Sequence, residues 1–209
     1  SKDGLSEDEI VSICKTTPLY WSRLYCALDS SLCSRLGKIS FKHSYVRDSV
    51  EKRYRLDKRG ENLRFDILEY SIPLMEESDR DAFLEVPYQL YKINSEDTVE
   101  ALYNFIQNPV DTATLYDNDE GLCREYWLYL KRNGYSFNSF LERKEDVFKG
   151  NHLDQSQRML SDLSSLLHSF GEFITAMELR KAFLTYLESQ QDTPVDVYVK
   201  TLNDVANEW

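Results

Sequence analysis

Apolar residues recur at three- and four-residue intervals along most of this chain. That period restricts it to helices packed on helices. Trp21, Leu24, Tyr25, Leu28 and Leu32 form one such stripe. Leu63, Ile67, Leu68 and Tyr70 form another, and Phe83, Leu84, Val86, Leu90 and Tyr91 a third. Val99, Leu102, Tyr103 and Ile106, then Leu122, Tyr126, Trp127 and Leu130, continue the pattern. With 7 Gly and 5 Pro in 209 residues, the chain is too poor in turn formers for a loop-rich sandwich.

Local signals place the helix ends. Ser6 and Glu9 make a capping box, followed by Ile10, Ile13 and Cys14. Thr17-Pro18 opens a second helix, with Pro in the tolerated first turn. Gly37 breaks that helix, and Lys38 to His43 alternates as a short strand. Tyr45, Val46, Ser49, Val50 and Tyr54 restore the helical period. Helices followed by a short strand predict a winged helix over 1–56, with its first wing strand not evident. Pro87 predicts a kink or a helix start. Ser95 to Thr98 opens a helix that Asn108-Pro109 stops, and Asn133-Gly134 stops the next. Residues 135–152 show no clear period.

Composition excludes several classes. Hydrophobic residues make up 42% and charged residues 29%, as in a folded chain. No apolar run is long enough for a transmembrane helix, and the opening residues lack a signal peptide's apolar core. Cys14, Cys26, Cys33 and Cys123 include no Cys-x-x-Cys pair, and only 3 His occur, which speaks against a zinc site. The cysteines are expected to be buried, reduced thiols in a cytoplasmic protein, with Cys26 and Cys33 on one helix face.

The net charge of −11 makes an overall nucleic-acid binder unlike this chain, yet residues 35–64 hold ten Lys/Arg against four acids. Three readings of that stretch stand: a solvated face paired within the protein, a phosphate-facing patch, or a duplex-DNA surface. His43, at the strand–helix junction, is a cap, a core hydrogen-bonder or a ligand contact. Gly37-Lys38-Ile39-Ser40 fails as a P-loop, because Ile39 stands where Ser or Thr is needed. No nucleophile elbow, zinc-protease helix or EF-hand loop is present, so no catalytic residues and no metal ligands are assigned.

The last sixty residues look repetitive. Leu160-Ser-Asp-Leu163 recurs as Leu202-Asn-Asp-Val205, 42 residues later. Gly171 marks the turn between them, and Phe173, Ala176, Leu179 and Phe183 mark a second helix. A helix–turn–helix unit at fixed period signals an α-solenoid. The chain ends at Trp209 inside the second copy, which predicts a fragment of a longer polypeptide.

These stretches together carry a resemblance. Gly4-Leu5-Ser6-Glu7-Asp8-Glu9-Ile10, Pro18 to Leu24, Ile39 to Val50, Arg53-Tyr54, Leu84 to Leu90 and Tyr126-Trp127 follow one another as in signal-transducing STAND ATPases. The similar subgroup is nephrocystin-3-like, with a NACHT-type ATPase module followed by tetratricopeptide repeats. Leu160 to Phe183 resembles a kinesin-light-chain type repeat. Phe183 departs from the repeat's usual small Ala, and Thr193-Pro194 lies farther from Leu202 than the usual linker.

The resemblance implies a mainly α chain. It would hold a winged helix (1–56), a helical connector (57–150) and one and a half repeats (151–209). The ATP- or ADP-binding module would lie upstream, leaving this fragment without a cofactor or catalysis of its own. His43, with Arg47 in the same motif, would sense the bound diphosphate. Leu160, Leu163, Gly171, Phe173, Ala176 and Leu202 would pack the repeats, whose surface would bind a protein partner. Neither membrane nor nucleic acid would be a partner, and the full-length protein could form oligomers. A stand-alone helical adaptor and a DNA-binding winged helix are the alternatives.

Overall fold

In a computed structural model, the structure describes residues 1–55, 58–149, 152–190 and 194–207. It is mainly helical: thirteen helices and one two-stranded sheet stand among the described residues. Two compact units divide the chain, Ser1–Thr98 and Val99–Trp209.

The first unit starts with α1 (Glu7–Ile13), where the Glu9 amide donates to Ser6 Oγ at 3.2 Å and the Ser6 amide to Glu9 Oε2 at 2.6 Å. This reciprocal cap was legible in the sequence. Helix α2 (Pro18–Leu28) begins on Thr17, whose side chain accepts the Tyr20 amide. Strands β1 (Leu32–Arg35) and β2 (Lys38–Phe41) pair antiparallel, Leu32 opposite Phe41 and Arg35 opposite Lys38. Leu36 and Gly37 both take positive φ, as a two-residue hairpin turn of primed type demands. Leu5 adds a bridge to Ile39 on the far edge of β2. Gly4 makes that approach possible: a Cβ there would lie 2.5 Å from the Ile39 carbonyl oxygen.

Helix α3 (Ser44–Arg55) follows the hairpin directly. Helices α4 (Lys58–Glu76) and α5 (Arg80–Ile93) then pack along one another, burying Ile67, Leu68, Val86 and Leu90. Pro87 sits inside α5 and is buried, so it does not start a helix; Asp79 caps α5 about two turns earlier.

The division falls inside α6 (Glu96–Ile106). The second unit continues with α7 (Pro109–Asn118), α8 (Glu120–Arg132), and two short helices, α9 (Asn138–Glu142) and α10 (Lys144–Phe148). Three long helices close the chain: α11 (Leu153–Ser169), α12 (Phe173–Ser189) and α13 (Val195–Asn207). Its core is aromatic around Trp127, which stacks on Phe137 at 4.1 Å and meets Phe140 edge-on at 5.3 Å. Phe183 fills a second aromatic contact against Phe148 and Tyr186.

Several expectations are corrected. The helix predicted through Leu32 ends at Leu28, because residues 32–35 pair with β2 instead. Cys33 therefore lies on a strand and shares no helix face with Cys26. The division between the two units, at Thr98/Val99, falls inside the stretch expected as a connector over 57–150. The expected boundary at 56/57, the Thr193 linker position and Trp209 lie outside the described residues.

The thiols are also not uniformly buried. Cys14 and Cys26 are exposed, Cys33 is half-buried and only Cys123 is enclosed. Burial first, with the Asp119 charge adding to it, pushes the Cys123 thiol up to about 12. At pH 8 roughly one such thiol in ten thousand is ionised. Maleimide labelling followed by mass mapping should therefore modify Cys14 and Cys26 in the native chain. Cys123 should react only in denaturant. Native labelling of Cys123 at the rate of Cys26 would contradict this packing.

Candidate functional site

The turn of the hairpin and the start of α3 set the geometry of the first unit. His43 precedes α3, and its carbonyl accepts the Val46 and Arg47 amides at 3.1 and 3.3 Å. The backbone of His43 thus caps the helix, while its imidazole is exposed and stacks on the Tyr45 ring at 5.3 Å. The imidazole makes no hydrogen bond among the described residues, so it is neither a side-chain cap nor a core hydrogen-bonder. Arg47, one turn along α3, is 59% exposed and meets only the adjacent Asp48 at 3.4 Å.

An open groove of about 1260 Å³ runs between the N-terminal segment, the hairpin and helices α2 to α5. Trp21, Leu32 and Ile67, all nearly buried, contribute its apolar floor. Arg47 is among the residues that line it and His43 is not.

The basic stretch is partly neutralised within the unit. Lys38 pairs with Asp81 at 2.7 Å, and Lys42 donates to the Asp29 carbonyl at 2.9 Å. Arg64 donates to Glu51 at 2.7 Å and to Gln89 at 3.0 Å, and Gln89 donates to Glu85 at 2.6 Å. This relay joins α3, α4 and α5, and Gln89 is completely buried in it. A buried amide needs its partners, so losing Arg64 would leave the Gln89 oxygen unsatisfied at a cost of about 1–3 kcal/mol. Sequence reasoning missed the relay. Its one local trace is Gln89 on the buried side of α5, four residues after Glu85.

In the second unit, Leu160, Leu163 and Ala176 are buried. Gly171 supplies the turn, at φ +74. Phe173 and Leu202 are 57% and 45% exposed. Phe173 is the first residue of α12 and lies over the turn, its ring against His168. Leu202 sits one residue, about 100° of helix, beyond Thr201, which faces inward.

The buried face of α13 is Val197, Thr201 and Val205, which answers Ser156, Leu160 and Ser164 of α11 at a spacing of 41. At the sequence recurrence of 42, Val205 matches the buried Leu163, while Leu202, the counterpart of Leu160, is exposed. Polar side chains fasten α13 to the helices before it. Gln157 donates to the Val197 carbonyl and to Thr201 Oγ1, both at 3.1 Å. Arg180 bridges Ser164 at 2.9 Å and Asp204 at 2.8 Å.

Among the described residues, no group of three or more His, Cys, Asp or Glu is placed to hold a metal ion. No described helix is long and apolar enough to cross a membrane. Comparisons with protein families, curated proteins and solved structures return no match.

Proposed function

We propose that this chain is the regulatory and sensor part of a STAND-type signalling ATPase. In this reading, residues 1–56 are a winged-helix lever and 151–209 begin a tetratricopeptide array that receives a protein partner. Residues 57–150 connect the two. The chain itself hydrolyses nothing; partner binding on the repeats biases a nucleotide switch supplied by an upstream module.

The observation that carries this reading is the state of His43. Its carbonyl accepts two amides at the start of α3, while its imidazole is exposed beside the Tyr45 ring, with no hydrogen bond among the described residues. An imidazole N–H in that position is free to donate to a phosphate oxygen, and Arg47 one turn away adds positive charge. A donor of this kind favours the nucleotide-bound state only if it contacts the diphosphate in that state alone.

The test is ADP release from the full-length parent protein. His43→Ala should raise the dissociation rate of a fluorescent ADP analogue at least ~tenfold, since a hydrogen bond to a charged group contributes about 1.5–3 kcal/mol. An unchanged rate would sink the role of His43. A parent reading frame with no Gly-x-x-x-x-Gly-Lys-Ser/Thr loop before residue 1 would sink the ATPase reading itself.

A helical-repeat adaptor is the second reading. It is favoured by the outer face of α13, where Val195, Val199 and Leu202 stay exposed at i, i+4 and i+7. Duplex-DNA binding draws little support, because Lys38, Lys42 and Arg64 are already committed to partners within the chain.

A further inference from the structure

We infer that the groove of the first unit is a docking site for an acidic amphipathic helix of a partner protein. This inference is independent of the nucleotide reading and of the repeats.

The size of the groove argues first. Small-molecule pockets run to about 300–1,000 Å³ and enclose their ligand. This one is larger, at about 1260 Å³, and open along one side. Its walls carry apolar side chains that face solvent from three different elements. Leu36 at the hairpin turn is 96% exposed, Tyr54 on α3 52% and Leu63 on α4 45%. An apolar strip above an apolar floor is the complement of a helix that presents anchors at i, i+4 and i+7.

Charge then selects the kind of helix. Six basic residues line the groove against three acids, in a chain whose net charge is −11. Lys38 and Arg64 are matched by Asp81 and Glu51. Arg35 has no ion pair or hydrogen bond among the described residues, and the Lys92 ammonium lies over the rings of Tyr88 and Tyr91 at 5.5 and 5.3 Å. The charge left over at the rim is therefore positive. A nucleic acid would meet the same rim, but it would leave the apolar walls uncovered and would be repelled by the rest of the chain. A helix with Leu anchors and Glu flanks satisfies both wall and rim.

The probe is a fluorescein-labelled 16-residue helical peptide with Leu at i, i+4, i+7 and i+11 and Glu on both flanks. Binding to the 209-residue chain is read by anisotropy, and two counterparts carry Gln or Lys in place of Glu. The Glu peptide should bind, and the Gln peptide should bind at least ~tenfold more weakly. Arg35→Glu with Lys92→Glu should reverse the preference, so that the Lys peptide binds better than the Glu peptide. Leu36→Asn should weaken the Glu peptide severalfold. Leu36 makes no core contact and asparagine tolerates its positive φ, so folding is not at issue there. Equal binding of the Glu and Gln peptides, no binding, or displacement of the Glu peptide by ADP or by single-stranded DNA would each overturn the assignment.

Discussion

Trp127→Ala should destabilise the unit of residues 99–209 by about 3–5 kcal/mol, a large share of what holds a domain of that size together. Trp127 is fully buried on α8. Its indole stacks on Phe137 at 4.1 Å, meets Phe140 at 5.3 Å and lies edge-on to Tyr103 at 6.4 Å. With Trp127 itself, those rings come from three separate stretches of chain, so an alanine leaves a cavity that no single side chain can move to fill. Trp127→Phe should cost much less than its change in volume suggests. The indole N–H is buried with no hydrogen-bond partner among the described residues. Phenylalanine removes that unsatisfied donor, recovering part of a penalty of about 1–3 kcal/mol, while it keeps the stack. Urea unfolding followed by far-UV circular dichroism would separate the two variants. A Trp127→Ala midpoint within error of the parent's would show that this aromatic cluster does not hold the unit together.

The sequence showed most clearly what depends on neighbours within one or two turns. Ser6 with Glu9, Thr17 with Pro18 and the period through Trp127 all appear in the structure where local chemistry puts them. Strand β1 was hidden because Leu32 follows Leu28 at helical spacing, and only pairing with Phe41 makes it a strand. Helix α7 is hard to see in the sequence because Asn108-Pro109 reads as a stop. The same dipeptide starts the next helix, with Asn108 accepting the Val110 amide. Residues 138–148 lack a period because α9 and α10 are five residues each, too short to display one. The groove was the least visible feature. It is assembled from α2, the hairpin and α3 to α5, and no local spacing encodes that five elements will leave a space between them.

Leu163→Ala should cost about 2–5 kcal/mol, whereas Leu202→Ala should stay within about 0.5 kcal/mol of the parent. Both leucines belong to the segment that recurs in the sequence, so a repeat packed in register with that recurrence would bury both kinds of position. The helices pack otherwise. Leu163 is completely enclosed on α11, while Leu202 looks outward from α13. The inward place beside it is taken by Thr201, whose hydroxyl donates to the Val197 carbonyl at 2.9 Å and accepts from Gln157. Thr201→Val should therefore destabilise the helix pair, since Gln157 keeps its donor but loses the acceptor. Thermal unfolding of the three variants gives the order: Leu163→Ala lowest, Thr201→Val between, Leu202→Ala level with the parent. If Leu202→Ala fell as far as Leu163→Ala, α13 would have to be turned by about 100° from the orientation described. The outward face of Leu202, Val199 and Val195 would then be core, and the apolar surface that favours an adaptor role for these helices would no longer exist.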